Sequence, residues 1–343
     1  MVTKVGLDLG YANITLSDVT AVVYREPSVA LVDKSNHSII AVGASAENAQ
    51  NPSAVIVRPF KNGLLYNSEY TRDVISAVVS SLKSNDKIRL VLGVPSNYLP
   101  KQEKELFDMV IGAGVAEAYS VTRPVAALIG AGYSPTISAV SVNIGASATE
   151  VAVLSRGEII YQSTEKIGGE DFDIAVKQYI FEQGDVNVSL SVARAIKERL
   201  GAVWEGKASE SIDIEGTLSL TESRVKMSVS TEDVLGVFEA PLQRVITAVA
   251  NAIKRIPLDR VEEIFKNGVI LTGGGAEIYG MDKMISKVLG VHVTQPANAI
   301  DCVAKGLSRV NAIIPARMRG NCKNITSQLG KLYVSKKQQN TKQ

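Results

Sequence analysis

The strongest constraint on the fold is a hairpin-like stretch that occurs twice. Residues 142–154, Val-Asn-Ile-Gly-Ala-Ser-Ala-Thr-Glu-Val-Ala-Val-Leu, alternate small or polar residues with Val and Ile around a tight Gly-Ala-Ser turn. Residues 5–17, Val-Gly-Leu-Asp-Leu-Gly-Tyr-Ala-Asn-Ile-Thr-Leu-Ser, follow the same pattern. Each stretch predicts a β-hairpin, and a turn with little side-chain bulk lets several backbone N–H groups approach one phosphate. The repeat therefore predicts a duplicated domain that holds one polyphosphate between its halves.

Length and composition fit two soluble α/β lobes. The chain has 343 residues, 45% hydrophobic and 21% charged, which is too long for one ordinary core and too apolar for a disordered protein. It shows neither a signal-peptide pattern nor an apolar run long enough to span a bilayer, so we expect a cytoplasmic protein. The net charge of +2 argues against nucleic acid as a partner. Two histidines and two cysteines, scattered along the chain, make a metal site of these residues or a catalytic triad unexpected.

Two glycine turns and one carboxylate are candidates for contacts with a nucleotide. Asp8 precedes the turn of the first hairpin, where it either holds a Mg²⁺-bound water beside phosphates or only caps the hairpin. Gly168-Gly169-Glu170 leads into a helix predicted over 171–182, whose first amides are a second candidate contact for phosphate or ribose. Gly273, Gly274 and Gly275 follow a buried strand, so backbone can lie flat against a planar group or a phosphate.

The patterns also predict the elements between these motifs. We expect strands over 24–32 and 87–94, and helices over 100–112, 190–200 and 231–254, the last as one long helix. Lys197 and Glu198 lie on the helix over 190–200, where the simplest interpretation is a solvated helix surface.

The C-terminal tail contains an apolar stripe at helical spacing among basic residues. The apolar residues are Ile325, Leu329, Leu332 and Tyr333, and the basic ones are Lys331, Lys336 and Lys337. That stripe predicts either weak contact with an anionic bilayer, or a solvated tail or a helix docked on the body.

Further motifs follow one another in a fixed order from about residue 4 to about residue 311. They are Asp8-Leu-Gly-x-Ala-Asn, Glu26-Pro-Ser-Val, Arg58-Pro-Phe-Lys-Asn-Gly, Gly93-Val-Pro-Ser, Gly145-x-x-x-Thr-Glu-Val-Ala-Val, Leu271-Thr-Gly-Gly-Gly-Ala and Asp301-Cys-Val-Ala. Together these motifs resemble the bacterial actin homologues of the MreB/MamK family.

The resemblance implies the α/β fold of actin-like ATPases, with duplicated ribonuclease H-like domains. Two lobes, each with a small inserted subdomain, would close on ATP and Mg²⁺, and subunits would stack head to tail into protofilaments. We expect the first lobe at 1–141 with an insert at about 31–72, and the second lobe at 142–308 with an insert at about 179–239. Residues 309–343 would form a C-terminal helix and basic tail.

The resemblance also assigns roles to residues of the cleft. The phosphates would be held by the two turns, namely Gly10, Tyr11, Ala12 and Asn13, and Gly145, Ala146, Ser147, Ala148 and Thr149. Lys197 and Glu198 would contact ribose and adenine, Gly273 to Gly275 would line the adenosine, and Asp8 would hold the metal.

Three positions depart from the family pattern. Asn143 replaces an aspartate that helps to hold the hydrated metal, and Tyr11 replaces a small threonine of the first phosphate turn. Arg123 replaces the glutamate that orients the attacking water, and a guanidinium cannot accept a proton from water. We therefore expect ATP hydrolysis to be slow or lost, with Arg123 neutralising the γ-phosphate and holding the closed state. The alternative is that Arg123 turns to solvent and a neighbour positions the water.

Three classes of function remain open from the sequence. The first is a filament-forming cytoskeletal protein, in filaments at the inner face of the membrane or elsewhere in the cytoplasm, that serves cell shape or organelle positioning. Its partners would be further copies of itself or another actin homologue. The second is a monomeric ATP-binding adaptor similar to PilM of pilus assembly. The third is a small-molecule kinase, for which the sequence offers no separate acidic base.

Overall fold

The computed structural model describes residues 2–61, 64–315, 318 and 321–341. Asn62 and Gly63 of the motif at 58–63, and Arg317, Arg319 and Lys342 of the basic tail, lie outside these ranges. The strands are β1 (Val2–Leu9), β2 (Asn13–Ser17), β3 (Val22–Pro27), β4 (Ala30–Asp33), β5 (Ile39–Val42), β6 (Ala54–Val57), β7 (Phe60–Lys61), β8 (Leu64–Leu65), β9 (Lys87–Val94), β10 (Glu117–Thr122), β11 (Ala139–Ile144), β12 (Thr149–Ser155), β13 (Glu158–Glu165), β14 (Val186–Asn187), β15 (Ser211–Leu218), β16 (Arg224–Ser230), β17 (Val269–Thr272), β18 (Val293–Thr294) and β19 (Lys323–Asn324). The helices are α1 (Ala44–Glu47), α2 (Ser68–Ser80), α3 (Pro100–Gly112), α4 (Arg123–Gly130), α5 (Gly169–Gly184), α6 (Leu190–Leu200), α7 (Thr231–Leu235), α8 (Glu239–Ile253), α9 (Val261–Asn267), α10 (Met281–Leu289), α11 (Cys302–Ile313) and α12 (Leu329–Thr341).

Two large sheets repeat one topology. The first has the order β19-β10-β9-β1-β2-β3 and the second the order β13-β12-β11-β17-β18. In each, an antiparallel hairpin, β1-β2 or β11-β12, joins a parallel strand, β9 or β17, on its other side. Both hairpins predicted from the sequence are thus confirmed, and the repeated order is that of a duplicated domain. Asp8 on β1 and Asn143 on β11 take equivalent places directly before the two turns.

Two helices lie between the sheets and join the lobes. α4 packs on β11, β12 and α11, while α11 packs on β1 and β9. From Arg123 to Ile129 every residue of α4 is buried, which explains its apolar composition on all sides. Pro124 stands in the first turn, where its missing N–H leaves no hydrogen bond unmade. The predicted boundary at residue 308 assigns most of α11 to the second lobe. In the structure, α11 packs on the sheet of the first lobe.

Small residues let these two helices approach backbone to backbone. A Cβ placed on Gly306 of α11 would lie 1.7 Å from the Ala126 carbonyl oxygen of α4. Likewise, a Cβ on Gly130 of α4 would lie 1.8 Å from the Cys302 carbonyl oxygen of α11. Neither position has room for a side chain.

Two predicted elements are each divided in the structure. The strand expected over 24–32 is β3 and β4, which belong to different sheets. The break comes at Ser28, whose N–H donates to the Ala12 carbonyl and leads the chain out of the first sheet. The helix expected over 231–254 is α7 and α8, separated at residues 236–238, where Gly236 ends α7. Helices α3 and α6 have the predicted bounds.

The C-terminal segment is docked on the first lobe. β19 pairs in parallel with β10, and Ile325 and Leu329 are buried in the core around α4 and α11. Leu332 packs against the same core, and the Lys336 ammonium donates to the Ala312 carbonyl. The apolar stripe predicted for bilayer contact therefore faces the protein, and the docked helix is the alternative that the structure shows. In the described part of the chain, no helix combines the length and apolarity needed to span a membrane.

Candidate functional site

A cleft of about 680 Å³ separates the two lobes, a size that suits a small organic ligand. It is lined by both hairpin turns, by the glycines after β17 and by one side of α6. Among the residues predicted to contact a nucleotide, those that line this cleft are Asp8, Gly10, Tyr11, Ala12, Asn13, Arg123, Asn143, Gly145, Ala146, Ser147, Ala148, Gly169, Glu170, Lys197, Glu198, Gly273, Gly274 and Gly275. Thr149 is not among them, because it is buried in β12 and its hydroxyl donates to the Ile167 carbonyl.

The two turns present backbone donors to the cleft. Within the described ranges, no backbone carbonyl accepts a hydrogen bond from the N–H of Tyr11, Ala12 or Ala146. Because an N–H without a protein acceptor needs another partner, these amides suit an anion such as a phosphate. The phosphate contacts that the hairpin patterns predict for these turns stay a prediction.

The start of α5 supports the second turn. The N–H groups of Gly169 and Glu170 donate to the carbonyls of Gly145 and Ala146 at 2.9 and 2.7 Å. The expectation that these first helical amides contact phosphate or ribose therefore does not fit their hydrogen bonding. Glu170 contacts the first lobe instead, where its carboxylate accepts a hydrogen bond of 2.5 Å from the Tyr11 hydroxyl. Burial and this hydrogen bond raise the pKa of Tyr11 to about 12.

The side chains on α6 are more constrained than a solvated helix surface. Lys197 is 11% exposed, and its ammonium lies 2.6 Å from the Asp173 carboxylate and donates to the Gly169 carbonyl at 3.0 Å. Arg194 donates to the other oxygen of Asp173 at 3.3 Å. Glu198 lines the cleft beside them. This network holds the helix wall of the cleft against α5.

A buried cluster of charges lies where the two hairpins meet. The Arg123 side chain comes from α4 of the first lobe, and its Nε donates to Asp8 Oδ1 at 3.0 Å while Nη2 donates to the Leu9 carbonyl at 3.0 Å. On the other side, Nη1 lies 3.6 Å from Oε1 of Glu150 on β12 of the second lobe. The second oxygen of Glu150 accepts a hydrogen bond of 3.3 Å from the Asn143 amide. Arg123 is 6% exposed, so it does not turn to solvent.

Burial and charge act against each other in this cluster. Burial lowers the pKa of Arg123, but the carboxylates of Glu150 and Asp8 outweigh it, so the pKa is raised and the guanidinium stays charged. Burial raises the pKa of Glu150 to about 7, although Arg123 opposes this effect. Glu150 Oε1 is buried without a hydrogen-bond partner among the described residues. The cluster is thus one fixed cation held between carboxylates of both lobes.

The same cluster decides how well a divalent cation fits. Carboxylate oxygens suit Mg²⁺, but Asp8 Oδ1 already accepts from Arg123 and position 143 offers an amide. At a separation of about 4 Å, two like unit charges repel by about 4 kcal/mol at a protein surface, and a divalent ion doubles this cost. Asp8 with Arg123 beside it therefore does not form a good magnesium site.

Several residues of the site were missed by the sequence analysis. Glu150, Asp173, Arg194, Lys207 and Tyr279 all line the cleft. No local pattern marks Asp173 or Arg194, since each stands on a helix face whose partner comes from a distant segment. Glu150 could have been found, because a carboxylate directly after the phosphate turn, in an otherwise buried strand, needs a partner.

Substitution of Gly273 is expected to damage both fold and site. Gly273 has φ of +88°, and a Cβ there would lie 2.3 Å from the Ile144 carbonyl oxygen. We expect Gly273→Ala to lower the free energy of unfolding by about 2 kcal/mol and nucleotide affinity by about tenfold or more. The neighbouring Gly274→Ala is the control for stability, because its Cβ would lie 3.6 Å from the Ile300 side chain, an ordinary contact. Equal urea-unfolding midpoints for the two variants would contradict the described backbone approach.

The raised pKa of Glu150 predicts a pH dependence of stability. The native state binds the Glu150 proton more tightly than the unfolded chain does. The contribution of Glu150 to the free energy of unfolding therefore falls as the pH rises from 4.5, its ordinary pKa, to about 7, its pKa in the folded chain. Glu150→Gln has no such proton. We compare the unfolding free energy of the nucleotide-free variant with that of the wild type. The difference, variant minus wild type, should increase by on the order of 3 kcal/mol between about pH 5 and about pH 8. Parallel pH profiles in chemical denaturation would show instead that Glu150 titrates normally.

Comparison with known proteins places the chain among bacterial actin homologues. The family model described as MreB/Mbl protein matches residues 2–317. The cell shape-determining protein MreB of Pasteurella multocida is 31% identical over 317 residues, covering 88% of this chain and 90% of the relative. The cell shape-determining protein Mbl of Bacillus subtilis is 28% identical over 312 residues, covering 88% and 93%.

Solved structures show the fold. MreB5 of Spiroplasma citri bound to ADP superposes with a TM-score of 0.83 at 23% identity, covering 88% of this chain and 94% of that one. A MamK double helical filament superposes with a TM-score of 0.80 at 22% identity, covering 92% and 100%. The actin-like fold predicted from the sequence is confirmed.

Proposed function

Because this chain belongs to the MreB/Mbl family, we propose that it is a nucleotide-binding, filament-forming bacterial actin-like protein that serves cell shape or organelle positioning. The observation that carries the proposal is the cleft between two equivalent hairpins, whose turns present backbone amides that no carbonyl of the described backbone engages. Such a cleft couples the position of the lobes to the ligand, because one bound polyphosphate contacts both.

The proposed ligand is ATP. Its phosphates would lie between the turns at 10–13 and 145–148, with Lys197 and Glu198 near the ribose and adenine and Gly273 to Gly275 along the adenosine. Structures of MreB5 of Spiroplasma citri bound to ADP and to AMPPNP, a non-hydrolysable ATP analogue, support an adenine nucleotide in this fold.

We propose further that hydrolysis is slow or lost. Arg123 occupies the position where the family pattern has the water-orienting glutamate. Its guanidinium donates to Asp8 and to the Leu9 carbonyl and lies 3.6 Å from Glu150. A charged guanidinium that is held in this way cannot accept a proton from water. Arg123 lines the cleft, and we propose that its positive charge neutralises part of the charge of the γ-phosphate.

The proposed partners are further copies of this chain, stacked head to tail. The MamK filament shows that this fold assembles in that protein, and the name of the MreB relative links its family to cell shape. A filament that does not turn over its nucleotide would suit the stabilisation of another, active actin homologue.

The test is the state of assembly with and without nucleotide. Purified protein is expected to shift from monomers to large particles in light scattering when ATP or AMPPNP is added, and electron microscopy should show filaments. Lys197→Ala removes the cation bound to Asp173 and is expected to raise the ATP concentration needed. Binding of ATP by particles that stay monomeric would favour the PilM-type adaptor instead.

A further inference from the structure

We propose that the Arg123 guanidinium takes the place of a divalent cation in this cleft, so that the chain binds its nucleotide without a metal ion. The inference rests on the proposed function, since it specifies how the same cleft compensates the charge of the phosphates. It concerns binding, and it holds whether or not any hydrolysis remains.

The first argument is the position of the guanidinium. It bridges the two lobes, with Asp8 and Leu9 on one side and Glu150 on the other, directly behind the two phosphate turns. In phosphoryl-transfer sites a divalent ion joins protein oxygens to the phosphate oxygens and neutralises their charge. Arg123 supplies a positive charge there that is part of the chain, and an arginine retains its charge at any pH where the protein is folded.

The second argument is what remains for a metal. Asn143 presents an amide whose nitrogen donates to Glu150 at 3.3 Å and whose oxygen lies 3.4 Å from the Thr272 hydroxyl. That hydroxyl donates to the Val142 carbonyl at 3.0 Å, so the amide oxygen remains an acceptor, but it lacks the negative charge with which an aspartate attracts a divalent ion. Asp8 keeps one carboxylate oxygen that Arg123 does not contact, and a divalent ion there would meet the guanidinium as a like charge.

The third argument is the rigidity of the arrangement. Arg123 begins α4, which is packed between the two sheets, and its side chain is 7% exposed. Moving the guanidinium away would break its contacts with Asp8 and Glu150, and a Mg²⁺ ion admitted there would have to replace both of them. The replacement of the metal is thus built into the folded chain.

The experiment measures ATP affinity with and without metal, by competition against a fluorescent ATP analogue. In the wild-type chain we expect ATP to bind as tightly in excess EDTA as in excess Mg²⁺, or slightly more tightly. The two Kd values should differ by less than about threefold. An affinity that falls more than about threefold in EDTA would overturn the inference while leaving the proposed function intact. Absence of ATP binding under both conditions would overturn the proposed function and the inference together.

Variants provide a second measurement. Arg123→Glu combined with Asn143→Asp restores two carboxylates, and its ATP affinity is expected to become at least about tenfold stronger in Mg²⁺ than in EDTA. Arg156→Gln is the matched control, because Arg156 forms an ion pair with Glu263 outside the cleft and its side chain is 65% exposed. This control should keep the metal-independent binding of wild type. Should the double variant fail to fold, the wild-type comparison still decides.

Discussion

ATP turnover is expected to rise by about 100-fold or more when Arg123→Glu and Asn143→Asp are combined, because a positioned acid-base group contributes about 10²–10⁴-fold to a rate. The new glutamate would begin α4 beside Asp8 and Glu150, where Arg123 now engages both carboxylates. The new aspartate would supply a metal-binding oxygen at position 143. Phosphate release by wild type and variant, measured with Mg²⁺ at equal protein concentration, checks this expectation.

The single substitutions separate the two roles. Asn143→Asp alone should change ATP turnover little, since the acid that orients the attacking water is still missing. Glu150 is the neighbour best placed to act in place of that acid, because it is buried and burial raises its pKa to about 7. Vigorous wild-type turnover that disappears in Arg123→Ala would refute the inert site. Turnover that disappears in Glu150→Gln would in addition identify Glu150 as the base.

Gly306→Val is expected to lower the free energy of unfolding by at least about 4 kcal/mol, a value reserved for severe defects. A Cβ at Gly306 would overlap the Ala126 carbonyl oxygen at 1.7 Å, and a backbone atom in a packed helix cannot move aside alone. Helices α4 and α11 would have to separate, and they join the two sheets. Both lobes should therefore lose stability together, which thermal or urea unfolding of the nucleotide-free protein would show.

Gly112→Val is the matched control. Gly112 ends α3 on the surface. Apart from its chain neighbours and the backbone of its own helix, a Cβ added to it would have no heavy atom of the described chain within 4 Å. The same side chain should change stability there by no more than about 0.5 kcal/mol. If Gly306→Val unfolded at the same midpoint as Gly112→Val, the close contact of α4 and α11 would be wrong.

The sequence predicted the parts of the fold that are marked by local patterns. The hairpins at Asp8 and Asn143 follow from alternation around small turns, and α3 follows from a polar start and an apolar stripe. The glycines at 273–275 were assigned to the cleft because few other roles require three in succession. These features depend on neighbours in the chain, which a single sequence displays.

Features that depend on distant partners were lost or misjudged. The burial of Lys197 needs Asp173, and the pairing of Arg123 with Glu150 needs two lobes to meet. The apolar stripe at Ile325 and Leu329 has the same periodicity whether it covers a bilayer or the core of the first lobe. Periodicity reports that a face is apolar, and only the assembled fold shows what covers that face.

Sedimentation and phosphate release measured on one sample test the central claim most directly. With ATP, the wild-type chain should pellet as filaments visible by electron microscopy while the phosphate released stays far below one equivalent per subunit. Particles that remain single in saturating ATP, or phosphate release that keeps pace with assembly, would contradict an account in which the arginine-filled cleft binds nucleotide to assemble and not to hydrolyse it.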